Sequence, residues 1–170
     1  MSQAEVRLEF DGGHSHWLEN ELPGFREEAH FEENAQNQRV GSISLRSIRE
    51  SLTRQPDKIG LLLNALGQEL GQETFTSSLD LARFLLKRGD VTRAREKLPE
   101  IQAALNLAEK RFRQAQEFLS DSIIQKMILD RSDDPEVKAL GQILHDQLQR
   151  NNIIEFRARL AEFEQELAST

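Results

Sequence analysis

Cysteine is absent from the 170 residues, which excludes a disulfide framework, thiolate metal centres and a thiol nucleophile. Tyrosine is absent as well, and nine phenylalanines with a single tryptophan supply all the aromatic mass. No apolar run approaches the ~20 residues that a membrane-spanning helix needs. The opening MSQAEVRLEF lacks the apolar centre of a secretory signal, so a soluble, cytoplasmic protein with no membrane partner is expected. The glycine-rich phosphate loops, the metalloprotease HExxH and the GxSxG nucleophile elbow are all missing. Adjacent acids such as Glu27/Glu28 and Asp133/Asp134 make solvated charge, not an acid–base pair across a cleft. The expectation is a non-enzyme without a cofactor.

What is present is charge, and it is unevenly placed. The formal net charge is -7, which argues against a general nucleic-acid binder. Nearly all of it lies in residues 1–41, where Glu5, Glu9, Asp11, Glu19, Glu21, Glu27, Glu28, Glu32 and Glu33 face only Arg7, Arg26 and Arg39. This stretch has scattered apolar residues and no sustained helical period. VRLEF alternates as a short strand does, but no partner strand is evident. Residues 1–41 therefore read as a flexible acidic arm, largely extended or disordered, and residues 42–170 as a helical domain.

From Ser42 the pattern is helical. Ile43, Leu45, Ile48 and Leu52 form a first stripe that ends before Pro56. Asp57 is placed to cap a second helix carrying Ile59, Leu62, Leu63, Leu66 and Leu70. Gly60, Asn64, Gly67 and Gly71 lie on another side of that helix and predict a neighbouring helix close by. A third helix near Ser78–Arg88 is apolar around much of its circumference and reads as the most buried segment. Gly89 supplies a left-handed cap and Asp90 starts the next helix, so the two must be antiparallel neighbours.

The fourth helix carries Ala94, Leu98, Ile101, Leu105, Ala108, Phe112, Ala115 and Leu119 in unbroken 4,3 spacing. Read as continuous to Asp130, it is kinked or split by Pro99. Asp134 and Pro135 begin a fifth helix, lined by Val137, Leu140, Ile143, Leu144 and Leu148. Asn151 and Asn152 turn the chain into a last one, lined by Ile153, Phe156, Leu160, Phe163 and Leu167. The fold class is all-α, an antiparallel helical bundle.

Residues 79–98, LDLARFLLKRGDVTRAREKL, resemble one tetratricopeptide-type helix pair. Leu81, Ala82 and Leu85, the Gly89–Asp90 turn, and Ala94 and Leu98 fall where that motif places its large and small residues. Ser78, Pro99 and Asn106 depart from it, and no second copy follows at the 34-residue period. The resemblance implies a scaffold that binds peptides or proteins. The C-terminal third is also similar in rhythm to the helical lid of seventy-kilodalton heat-shock chaperones, without their strands.

Three clusters are candidates for function. Trp17, Leu18, Leu22 and Phe25 form an apolar island among acids, the composition of a short docking motif. Around Gly89, Arg83, Lys87, Arg88, Arg93, Arg95 and Lys97 form a basic patch, with Arg88 and Arg93 nearest the turn, suited to an acidic partner, a nucleic-acid backbone or the chain's own acidic arm. His14, His16 and Glu19, with Glu21 and His30 nearby, are the only metal-like grouping, and they lack a second ligand pair. The function expected is protein–protein interaction, as an adaptor, chaperone-like or assembly factor. The alternatives are a regulatory nucleic-acid-associated protein using the basic turn, and a structural homodimer.

Overall fold

The alternating segment forms a strand, and it has a partner. The computed structural model describes residues 6–11, 30–33, 39–71 and 74–170. Strands β1 (Arg7–Asp11), β2 (His30–Glu33) and β3 (Arg39–Ser44) make an antiparallel sheet in the order β1-β3-β2. Leu8 lies opposite Ile43, while Phe10 and Phe31 both lie opposite Gly41, one from each side. Residues two apart on a strand share a face, and on this one Leu8, Phe10 and Ile43 are wholly buried. The expectation of an unpartnered strand is thereby corrected. Its partner was hidden because Ile43 also fits the helical stripe that follows, and the 41/42 boundary falls inside β3.

Helix therefore begins at Leu45, not Ser42. Ser44 is extended and its hydroxyl accepts the Ser47 amide at 3.1 Å, which relieves one orphan donor of the first turn. The helices are α1 (Leu45–Arg54), α2 (Ile59–Gly71), α3 (Phe75–Lys87), α4 (Val91–Ser120), α5 (Ser122–Asp130), α6 (Pro135–Gln149) and α7 (Ile153–Ala168). The fold is predominantly α, as the periodicities predict, with the small sheet added. Asp57 lies inside a 3-10 turn, Pro56–Lys58, rather than capping α2. Asp134 does cap α6, accepting from Glu136 at 3.0 Å.

Two compact units emerge: Met1–Gly67 with Gln114–His145, and Gln68–Arg113 with Asp146–Thr170. The first holds the sheet, α1, α5 and most of α2 and α6. Its buried residues include Ile48, Leu52, Ile59, Leu62, Leu63, Leu66, Phe118, Ile124 and Leu144. Gly60 faces α6, where an added methyl would meet Val137 at 3.8 Å and Leu140 at 3.9 Å. At Gly60 the predicted neighbouring helix is present, at ordinary contact distance.

The second unit is built on α3, the stretch of α4 up to Arg113, and α7. Phe75, Leu79, Ala82, Ala94, Ile101, Leu105, Phe156, Leu160, Phe163 and Leu167 form its core. The rings of Phe75 and Phe156 meet edge to face at 4.2 Å. Arg83 reaches Glu162 and Glu166, so α3 and α7 lie side by side. Gln102 pairs with Glu164, and Glu109 with Arg157, so α4 runs antiparallel to α7.

Helix α4 passes through Pro99 without splitting. The ring is exposed, where water can serve the carbonyl one turn back that loses its amide partner. The helix ends at Ser120, not Asp130. Asp121 is extended, its Oδ1 accepts the amides of Ile123 and Ile124 at 3.0 Å, and Arg49 Nη1 donates to its Oδ2 at 2.6 Å. The predicted seam holds at Ala94, Ile101, Leu105 and Ala115, but farther on Gln114 and Phe118, which lie off it, are buried while Phe112 and Leu119 are only half-buried. A helix of 3.6 residues per turn drifts off a strict seven-residue stripe, and from Gln114 onward it belongs to the other unit.

Candidate functional site

Helix α3 stops because its last carbonyls are claimed by a glycine turn. Gly89 has φ +85°, its amide donates to Leu86 O at 3.0 Å and that of Asp90 donates to Leu85 O at 3.0 Å. This is the bonding of a Schellman cap. Asp90 then accepts the Arg93 amide at 3.3 Å, starting α4. The turn read from the sequence is the turn found.

The packing of α3 is not the packing expected. Its buried residues are Phe75, Leu79 and Ala82, whereas Leu81 is 46% and Phe84 54% exposed. At 100° per residue, Ser77, Leu81, Phe84 and Arg88 fall on one stripe, away from the packed side. The segment read as the most buried in the chain is thus amphipathic in an unusual sense: apolar residues occupy both its packed and its open faces. The core of the second unit is filled from one side of α3, by α4 and α7 side chains, and leaves Leu81 and Phe84 on the other side about half exposed.

The basic patch is partly neutralised. Arg83 meets Glu162 at 3.5 Å and Glu166 at 3.7 Å, Arg93 meets Asp90 at 3.8 Å, and Lys97 meets Glu100 at 3.8 Å. Among the described residues no carboxylate pairs with Lys87, Arg88 or Arg95. Arg88 instead lies over the Phe84 ring, its Cζ 5.5 Å from the centroid. That contact is a cation–π pair, and it holds the charge beside the exposed apolar stripe.

Arg88 and Arg93 are therefore both exposed and close in sequence to the turn, but of the two only Arg93 has a carboxylate partner among the described residues. Trp17, Leu18, Leu22 and Phe25 lie outside the described residues, as do His14, His16, Glu19 and Glu21. His30 is described, and its Nε2 is 2.8 Å from Glu32. No group of three or more ligand-type side chains that would hold a metal occurs among the described residues. Sequence reasoning missed Gln114, a buried residue of α4 whose Oε1 accepts the Glu9 amide at 2.7 Å and whose Nε2 donates to the Glu9 carbonyl at 3.2 Å. One amide side chain thus satisfies both main-chain groups of Glu9 on β1. A polar residue beside the apolar seam was the available signal. Comparison of the chain with family models, curated proteins and solved structures returns no match.

Proposed function

We propose that the protein is a non-enzymatic protein–protein interaction module, of adaptor, chaperone-like or assembly type, with the α3–α4 hairpin as a scaffold face. The observation that carries this reading is the exposure of Leu81 and Phe84 on one stripe of α3. A contiguous apolar stripe rimmed by charge marks an interaction surface more often than an isolated exposed leucine does. The tetratricopeptide-like pattern of residues 79–98 supports the same reading. A nucleic-acid backbone is a poorer fit to the turn, because Arg83, Arg93 and Lys97 already face carboxylates. The acidic segment with Trp17, Leu18, Leu22 and Phe25 is proposed as a second docking element.

The test is quantitative affinity purification with the full chain, its Leu81→Ser/Phe84→Ser variant and its Trp17→Ala/Phe25→Ala variant. Loss of a specific co-purifying protein from either variant, with the far-ultraviolet dichroism unchanged, supports the reading. Identical partner sets from all three overturn it.

A further inference from the structure

Resting on that reading, we infer that the open stripe of α3 receives an acidic helical segment of a partner protein, whose apolar side chains cover Leu81 and Phe84 and whose carboxylates meet Lys87 and Arg88. Three observations point to this occupant. Leu81 and Phe84 are separated by three positions, so they present neighbouring knobs on one helix face, the spacing a second helix reads with its own i and i+4 residues. Charge then selects among helices. Of the cations around the Gly89 turn, those with carboxylates of their own among the described residues are Arg83, Arg93 and Lys97, which leaves Lys87, Arg88 and, one turn into α4, Arg95. Burying the stripe beneath an apolar or basic partner would strand these charges, whereas an acidic one completes them.

The third observation sets direction. Asp80 flanks the stripe one turn before Phe84, and Arg88 closes it at the other end, with its guanidinium already over the Phe84 ring. An incoming acidic segment is repelled at the Asp80 end and attracted at the Arg88 end, so its carboxylates gather toward the turn. Leu81 and Phe84 are each about half exposed, a small anchor area. Binding on the order of micromolar is expected, and it weakens as salt screens the rim charges.

The probe is a fluorescein-labelled, end-capped peptide with leucines at i, i+4 and i+7 and glutamates between them, titrated into the full chain by anisotropy. A matched peptide with lysine for every glutamate is the control. Saturable binding by the acidic peptide alone, weakened at least ten-fold both by Leu81→Ser/Phe84→Ser and by Lys87→Glu/Arg88→Glu, supports the proposal. Two separate variants are used so that one failing to fold does not remove the test. Equal binding of both peptides overturns the charge assignment, and unchanged binding by the variants overturns the site. If no acidic peptide binds while the purification above still loses a partner with Leu81→Ser/Phe84→Ser, the partner chemistry is wrong and the interaction reading stands. A dimer in sedimentation that disperses in that variant assigns the face to a second copy of the chain instead, and also overturns the proposal.

Discussion

Gly89 and Gly141 should respond in opposite senses to one added methyl group. At Gly89 nothing lies within 4 Å of the point where a Cβ would stand, so space is not the constraint. The backbone is: φ +85° is left-handed, and a side chain there costs about 1 kcal/mol. Gly141 sits inside α6, where the new methyl would meet Ile128 Cγ2 at 3.9 Å, an ordinary contact. Removing glycine from a helix interior is worth up to about 1 kcal/mol. Gly89→Ala should therefore lower, and Gly141→Ala raise, the urea midpoint at unchanged slope. The role of Gly89 was legible in the sequence because a cap is local chemistry. What the chain does with Leu81 and Phe84 was not, since no local pattern says which of two apolar sides of α3 its neighbours will cover.

Element boundaries divide along the same line. The starts of α4 and α6 were readable, because Asp90 and Asp134–Pro135 act on amides two or three residues away. The end of α4 was not, because apolar residues continue through Ile123, Ile124 and Ile128, and what fixes the break is partly Arg49, 72 residues distant in sequence. Asp121 caps α5 and holds Arg49, with its own side chain only 9% exposed. Asp121→Ala should cost about 2–3 kcal/mol, roughly 1 from the cap and the rest from a partly buried pair, worth more than a solvent-exposed one. Asp121→Asn keeps the cap acceptor and should recover about 1 kcal/mol of that loss. Thermal or chemical unfolding of both variants, with Arg49→Ala completing the double-mutant cycle, checks the division. A full loss in the asparagine variant would mean that the charge pair alone fixes the break.

At the scale of the whole molecule, the acidic leader is where composition misled. Nine acids and few apolar residues describe a solvated segment when averaged, yet Leu8 and Phe10 are wholly buried and β1 lines the central strand. Pairing joins residues 7–11 to residues 40–44, a separation across which no tight turn links the two strands to fix their register. Gln114 adds a second tie, bonding both main-chain groups of Glu9 from 105 positions away. Deleting residues 1–11 removes two buried side chains, one of the two partners of β3 and the groups that a buried amide bonds. Phe10→Ala alone should cost about 3–5 kcal/mol, a large part of the roughly 5–15 kcal/mol typical of a domain. The deletion should consequently abolish the cooperative unfolding of the first unit and the amide protection of Ile43 and Ile48 in hydrogen exchange. A truncation of the leader thus tests folding before it tests docking, and point substitutions at Trp17 and Phe25 are the cleaner probe of a partner. Full protection of Ile43 and Ile48 in the deleted chain would show instead that β3 is held without β1.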